Sequence, residues 1–389
     1  MTERLYDSDS YLDAFNCKVV NLYNDDKYTY IETDRTAFFP EGGGQTSDKG
    51  WLGEAYVENV QINDGKILHF VENSDENVKN LEIGMSVCGK IDMKKRFSDM
   101  QQHTGEHIFS GIVNRLYGYN NVGFHLGTEV VTLDFDGTLN EDDMCKVENL
   151  VNKAVWDNLP IKVLFPTDEE LKSISYRSKI EIEGQVRIVE IPGVDVCACC
   201  APHVKTTGEI GIIEVVSFEK YKGGTRVSIL CGERALSDIR AKLNENRKIS
   251  ALTCAKQKET AQAVERLKQE NEKLKYEIVG LNREILSSMA ESINEDSRII
   301  IFDKRLEGKL LSDFTLSLMP KASEFIASFC GEDGVFKYCI ASSNIDLRPL
   351  SKALNSAFSG RGGGRPEIVQ GSVNGSQEEI EKFLSDFEF

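Results

Sequence analysis

The sequence has few of the features that mark a membrane, secreted or strongly basic protein. No stretch approaches the roughly 20 consecutive apolar residues that a transmembrane helix needs, so no membrane span is expected. The first residues are acidic and carry no apolar segment, so we expect no signal peptide. The ten cysteines are therefore predicted to be reduced thiols or metal ligands of a cytoplasmic protein, not a disulfide framework.

Acidic residues outnumber basic residues, and most of the excess lies in the first 150 positions. The net charge is −17; residues 1–150 hold 13 Lys and Arg against 27 Asp and Glu, and residues 151–389 hold 33 against 36. Such a balance is not that of a general nucleic-acid binder. If a polyanion binds, the second part of the chain should supply most of the contacts.

The 389 residues are 40% hydrophobic and 28% charged, which is typical of a folded protein with two to three domains. The predicted fold class is α+β. Short alternating stretches separated by turns predict a small β-barrel-like unit in residues 1–90. A mixed two-layer α/β domain is predicted for residues 91–240, and a small α/β domain for residues 293–389.

Residues 241–292 are predicted to form a long helix with a heptad pattern. Apolar residues and one asparagine repeat every seven positions, as the a and d residues of a coiled coil do. A parallel homodimer and an antiparallel helical hairpin within one chain both fit this pattern. The a positions are Val264, Asn271, Ile278 and Ile285, and the d positions are Leu267, Leu274 and Leu281.

Two spacings predict a metal site. His103 and His107 lie one helical turn apart and therefore share a helix face, and Cys199 precedes His203 by four positions. Three nitrogens and one sulfur suit one tetrahedral Zn²⁺ per chain. Cys199 is the first choice of thiolate because of its spacing, and its neighbour Cys200 is the alternative.

Glu106 adds a second interpretation of the same helix. The order His-x-x-Glu-His also occurs in zinc peptidases, where the glutamate activates a water. Glu106 is therefore a candidate catalytic residue, and a zinc metallopeptidase is an alternative function. A solvated helix position is the plain alternative for this side chain.

Glycine-rich segments offer backbone N–H groups to a ligand. One consists of Gly42, Gly43 and Gly44, flanked by the polar side chains of Thr36 and Gln45. The second, residues 360–366, is predicted to be a loop, and its composition fits equally a phosphate site formed by Arg361 and Arg365 or a flexible surface loop. A third basic turn contains Lys222 and Arg226 and lies in the less acidic part of the chain.

In this order, the motifs resemble those of the alanyl-tRNA editing family. That family combines a GGGQ turn, an HxxxH helix, a CxxxH turn followed by Thr-Gly-Glu-Ile-Gly, and in its long form a C-terminal domain that also occurs in DHH phosphoesterases. The chain contains no Asp-His-His sequence of its own, which argues against a phosphoesterase. The matching segments are Gly42–Gln45, His103–His107, Cys199–His203, Thr207–Gly211 and Ser359–Gly371.

The resemblance implies a free-standing hydrolase that deacylates tRNA(Ala) mischarged with serine or glycine. By residue-to-residue correspondence, His103, His107, Cys199 and His203 would hold zinc, while Thr36 would line the amino-acid pocket. Gln45 would line the same pocket. A departure from the family pattern is that Cys200-Ala-Pro follows the cysteine where glycines are usual. A non-catalytic tRNA-binding zinc protein is the remaining alternative.

Overall fold

The computed structural model describes residues 2–178, 185–332 and 334–389. The chain divides into two compact units, Met1–Arg247 and Lys248–Phe389, and both mix helices with sheets, which confirms the α+β class. The finer division into four segments stays a prediction. No helix of the described residues combines the length and the apolar character that crossing a bilayer requires.

The first unit begins with a seven-stranded sheet. Alternate residues of its longest strand, Phe15, Cys17 and Val19, are buried, as the period of two requires. The strands pair antiparallel in the order β6-β5-β9-β2-β3-β8-β7, and no ladder among the described residues joins β6 to β7, so the expected barrel is an open sheet. Its strands are β2 (Ala14–Asn24), β3 (Tyr28–Thr33), β5 (Gly50–Leu52), β6 (Ala55–Val57), β7 (Asn59–Asn63), β8 (Lys66–Glu72) and β9 (Ser86–Ile91). Two short strands, β1 (Glu3–Arg4) and β4 (Arg35–Thr36), form a separate parallel pair.

The rest of the first unit contains a four-stranded sheet, β10-β11-β16-β15, and a three-stranded sheet, β12-β13-β14. Helices α1 and α2 pack on them and share one apolar core. The elements are α1 (Met93–Tyr117), β10 (Asn121–Leu126), β11 (Val131–Phe135), α2 (Glu141–Trp156), β12 (Lys162–Leu164), α3 (Asp168–Leu171), β13 (Ile188–Ile191), β14 (Asp195–Ala198), β15 (Ile213–Tyr221), β16 (Gly224–Cys231) and α4 (Gly232–Thr253).

Helix α1 is buried on all sides along its middle turns. Two glycines let neighbouring strands approach it. A Cβ on Gly105 would lie 2.3 Å from the Cys231 sulfur, and one on Gly111 would lie 2.5 Å from the Val194 carbonyl oxygen. The polar side chains of α1 therefore lie inside the unit and must find partners there.

The helix predicted for residues 241–292 is interrupted. Helix α4 ends at Thr253, and α5 spans Thr260–Ser292. Cys254 adopts a left-handed φ of 51°, and the Ala255 N–H bonds the Ser250 carbonyl, which is a C-terminal capping arrangement. Glycine usually occupies that position, so a cysteine there carries no local signal that the helix ends.

The second unit is a five-stranded sheet in the order β17-β18-β19-β21-β20, with α6 on one face and α7 and α8 on the other. The predicted glycine-rich loop is instead strand β20 at the sheet edge, paired antiparallel with β21. Its glycines permit close packing on the sheet, since a Cβ on Gly362 would lie 2.6 Å from the Tyr338 hydroxyl. The elements are β17 (Asp296–Phe302), α6 (Lys309–Leu318), β18 (Ala322–Glu332), β19 (Val335–Ala341), α7 (Arg348–Ala357), β20 (Arg361–Arg365), β21 (Ile368–Asn374) and α8 (Gln377–Asp386).

Candidate functional site

The structure brings together the four side chains that the two spacings singled out. His103 and His107 extend from α1, and Cys199 and His203 lie on the turn after β14. The Cys199 Sγ is 3.5 Å from His103 Nε2 and 3.3 Å from His203 Nε2, and all four donor atoms lie within 4.8 Å of one another. Ligands of a tetrahedral zinc are about 3.3–3.6 Å apart, so the donor set fits that ion.

A hydrogen bond from outside the cluster holds the second nitrogen of each imidazole. This leaves every Nε2 directed at the shared centre, as is usual for metal-binding histidines. The sequence analysis did not anticipate two of the three partners. The contacts are His103 Nδ1 to Gln45 Oε1 (2.8 Å), His107 Nδ1 to Asp195 Oδ2 (3.0 Å) and His203 Nδ1 to Thr104 Oγ1 (3.0 Å).

The electrostatics of the cluster favour a thiolate. Burial opposes the charge on Cys199, but the charge of His103 and the hydrogen bonds from His103 and His107 outweigh it and hold the pKa of the thiol well below its usual range. Burial lowers the pKa of His203 to about 3, so that ring is neutral at pH 7. Burial also opposes a proton on His107, but the hydrogen bond to Asp195 prevails and raises its pKa well above the usual range.

The turn that carries Cys199 is held from both sides by Arg187. The Arg187 carbonyl accepts the Cys199 N–H at 3.0 Å, and its Nη1 donates to the carbonyl oxygens of Cys199 (2.8 Å) and Ala201 (2.9 Å). This conformation directs Cys199 into the cluster. Its neighbours are elsewhere: Cys197 is buried beside His107, and Cys200 is exposed.

Asp195 and Arg177 are site residues that the sequence analysis missed. Arg177 donates two hydrogen bonds of 2.8 Å to the Asp195 carboxylate, which also accepts from His107. A partial signal was present, because Asp195 and Cys197 alternate along β14 and point to one side of it. That strand leads directly into the turn that carries Cys199.

Contacts from α1 fix the backbone on both sides of the GGGQ turn beside the cluster. The fully buried Arg96 forms an ion pair with Asp48 and donates to the Ala37 carbonyl at 2.6 Å. Gly44 has a φ of 81°, and a Cβ there would lie 2.5 Å from Phe124 Cδ1, so only glycine fits.

A cavity of about 1140 Å³ opens beside the cluster. Its volume suits a ligand at least as large as a nucleoside with an attached amino acid. Its wall combines polar, charged and aromatic side chains with the glycine turn. The lining residues include Arg4, Asp7, Gly43, Gly44, His103, His107, Phe124, Arg187, Cys199 and Cys200.

Thr36 and Glu106 are both completely buried. The Thr36 hydroxyl lies 2.8 Å from His69 Nε2 and accepts the Phe38 N–H at 3.1 Å. Glu106 Oε1 accepts hydrogen bonds of 2.7 Å from Ser110 and Asn121, so the alternative of a solvated helix residue is wrong. The helix is enclosed at that point by the strands around it.

Of the four basic residues predicted to bind substrate, Lys222 and Arg226 are not among the described residues that line the cavity, and Arg361 and Arg365 belong to the second unit. Arg226 forms a two-point ion pair with Asp134, and its guanidinium is 3.7 Å from the centre of the Tyr221 ring. The three others are Lys222, which lies at the turn between β15 and β16, and Arg361 and Arg365, which are exposed on β20 of the second unit.

Comparisons with known proteins relate this chain to a protein family. The model of the threonyl and alanyl tRNA synthetase second additional domain matches residues 186–228, which include Cys199 and His203. The alanyl-tRNA editing protein AlaX-L of Pyrococcus horikoshii is 28% identical, over 98% of this chain and 96% of the relative. The alanine–tRNA ligase of Pyrococcus abyssi is 28% identical, over 98% of this chain and 43% of the ligase.

The alanyl-tRNA editing protein Aarsd1-A of Xenopus laevis is 30% identical, over 66% of this chain and 62% of the relative. The crystal structure of the C-Ala domain from Aquifex aeolicus alanyl-tRNA synthetase aligns with 24% of this chain and with 93% of that domain's chain. The TM-score is 0.22 and the sequence identity is 14%. On the sequence matches, the chain belongs to the alanyl-tRNA editing family.

Proposed function

We propose that the chain is a hydrolase that deacylates tRNA(Ala) mischarged with serine or glycine, at a zinc centre held by four side chains. The observation that carries this proposal is the convergence of three imidazole Nε2 atoms on the Cys199 sulfur at the wall of a 1140 Å³ cavity. Relatives named as alanyl-tRNA editing proteins support the substrate class. The ligands are His103, His107, Cys199 and His203.

The chemistry needs little beyond positioning, because an aminoacyl ester is already reactive. A bound Zn²⁺ would place positive charge beside the ester, either to activate a water or to anchor the substrate. Because the four side chains complete a tetrahedron, both roles would require a fifth ligand position. The backbone N–H groups of Gly43 and Gly44 line the cavity without an acceptor among the described residues, and we assign them to the ester or the ribose of the substrate. Glu106, whose Oε2 lies 3.9 Å from His107 Nε2, is assigned to proton transfer.

Selection of the amino acid is assigned to Thr36 and Gln45. A hydroxyl that contacts the substrate would recognise the serine hydroxyl, and alanine would leave that hydrogen bond unmade. Thr36 is fully buried, is not among the described residues that line the cavity, and has its hydroxyl bonded to His69, so this role requires its side chain to move toward the cavity. Gln45 orients His103 through its Oε1, while its buried Nε2 has no hydrogen-bond partner among the described residues and is available to a ligand. Replacing Thr36 by valine should reduce the serine-to-alanine rate ratio more than the zinc content.

Deacylation of Ser-, Gly- and Ala-tRNA(Ala) tests the proposal, with zinc per chain measured on the same samples. We expect release of serine or glycine, retention of alanine, and loss of both activity and zinc in His103→Ala. His125→Ala, which removes an exposed imidazole, is the matched control. Cleavage of peptides that Glu106→Gln abolishes would point to the peptidase, and bound zinc with no turnover would point to a binding protein.

The same proposal includes contacts outside the cavity with the tRNA backbone and with a second copy of the chain. Lys222, Arg226, Arg361 and Arg365 are assigned to phosphates of the tRNA, so affinity should fall steeply with added salt. A homodimer is assigned to α5, whose six apolar heptad residues are 46–58% exposed in the described chain. A helical hairpin would have covered these residues, which favours the parallel dimer.

A further inference from the structure

Arg187 is a buried cation in the cavity wall that forms no ion pair with a carboxylate of the described residues, although its charge acts on the carboxyl of Asp7. Its side chain is 8% exposed, and among the described residues no acidic group lies within the 4.0 Å of an ion pair. Nη1 is used by the Cys199 and Ala201 carbonyls, whereas the buried Nε has no hydrogen-bond partner. A desolvated guanidinium in this state is costly unless an anion compensates it.

A second arginine lies at the same cavity. Arg4 is exposed at the rim, and its side chain has no ion pair or hydrogen bond with another described residue. The nearby Asp7 is the acidic group of this wall; burial raises the pKa of its carboxyl above the usual value, although Arg187 and Arg4 both oppose that shift. Two unpaired arginines at one cavity contrast with the acidic first 150 residues around them.

We propose that Arg187, assisted by Arg4, binds the phosphodiester that joins the last two nucleotides of the substrate RNA. This inference rests on the proposed function. The scissile ester is on the terminal ribose and must lie at the metal cluster, and Arg187 Nη1 is 2.8 Å from the carbonyl oxygen of the ligand residue Cys199. That phosphodiester is the negative charge nearest to the ester along the RNA, and a guanidinium binds phosphate in a planar, directional way.

The test compares ligands with and without that phosphate. The dinucleotide cytidylyl-adenosine and the nucleoside adenosine are titrated into the full-length zinc-loaded protein, as wild type, Arg187→Gln and Arg187→Lys. Glutamine removes the charge, and its amide nitrogen is two bonds shorter than Nη1, so the bonds to the Cys199 and Ala201 carbonyls are lost as well. An ester that has no phosphate separates that structural loss from the loss of the charge. Arg35→Gln, an exposed arginine paired with Glu3 at 3.2 Å, is the matched control.

We expect the wild type to prefer the dinucleotide by about tenfold or more, the range of a charge-assisted hydrogen bond. Arg187→Gln should abolish that preference, Arg187→Lys should restore part of it, and Arg35→Gln should leave it intact. Hydrolysis of 3′-seryl-adenosine, which has no phosphate, should fall less in Arg187→Gln than hydrolysis of the seryl-dinucleotide.

Equal losses on both esters, or no dinucleotide preference in the wild type, would overturn the phosphate site and leave Arg187 as a brace of the cysteine turn. The proposed function fails separately, when the wild type hydrolyses neither ester. The binding preference decides the phosphate site even in that case, because it needs no turnover.

Discussion

Asp195 accepts a hydrogen bond of 3.0 Å from His107 Nδ1, and Arg177 donates two bonds of 2.8 Å to the same carboxylate. Burial opposes the charge on Asp195, but the bonds from His107 and Arg177 outweigh it and lower the pKa of the carboxyl. An ionised carboxylate only accepts hydrogen bonds, so Nδ1 of His107 carries a proton, and Nε2, which must be unprotonated to bind a metal, is directed at the candidate metal cluster.

Asp195→Asn should weaken zinc binding about 10- to 100-fold, because the amide loses the charge and can turn its N–H₂ toward His107. Competition with a chromogenic chelator measures the affinity directly. Asp134→Asn, in the ion pair with Arg226 outside the cluster, is the control and should bind zinc as the wild type does. Unchanged affinity in Asp195→Asn would show that the carboxylate does not position the ligand.

Cys199→Ser should lose the metal, whereas Cys200→Ser should retain it. Serine preserves size but supplies no thiolate, and Cys199 alone of the two lies within 3.5 Å of the imidazole nitrogens. Elemental analysis of purified variants gives zinc per chain. The opposite pattern, with zinc lost from Cys200→Ser, would reassign the ligand.

Arg96→Met should destabilise the first unit by about 3–5 kcal/mol, because it leaves the buried Asp48 carboxylate without its partner. Arg96 is fully buried, and Asp48 also accepts the Phe39 N–H beside the glycine turn. Urea unfolding measures the loss. Arg35→Met removes a solvent-exposed pair with Glu3 and should change the free energy of unfolding little.

His69 should make stability depend on pH. Burial lowers its pKa from 6.5 to about 4, so the unfolded chain binds a proton that the folded chain does not between these values. Stability from this group is complete above pH 6.5 and is lost as the pH falls, by about 2 kcal/mol between pH 7 and pH 5. Urea unfolding at both pH values should show a smaller pH effect in His69→Gln; an equal effect would contradict the assignment.

Leu274→Glu should dissociate the dimer proposed for α5, since it places a charge at a d position in the middle of the stripe. Sedimentation equilibrium gives the mass of the particle. Gln269→Glu adds the same charge at an outward f position and should leave the dimer intact. A wild-type chain that sediments as a monomer at micromolar concentration would exclude the dimer.

The sequence was sufficient for the features that depend on local spacing. The ligand pairs His103/His107 and Cys199/His203 follow from the period of a helix and of a tight turn, and an α+β class follows from the alternation of apolar patterns. The helix ends at Asp92 and Gly118 are likewise readable, since an N-cap carboxylate and a left-handed glycine are local signals.

Tertiary structure decided which groups surround those ligands, because such contacts join residues far apart in the chain. Asp195 reaches His107 across 88 positions, and Thr104 reaches His203 across 99. Gln45, which the sequence analysis placed at the substrate, holds His103 across 58 positions. Periodicity within one segment carries no information on such pairs. The packing of α1 between the sheets determines them, because a polar side chain that is buried there must find its hydrogen-bond partner on another element.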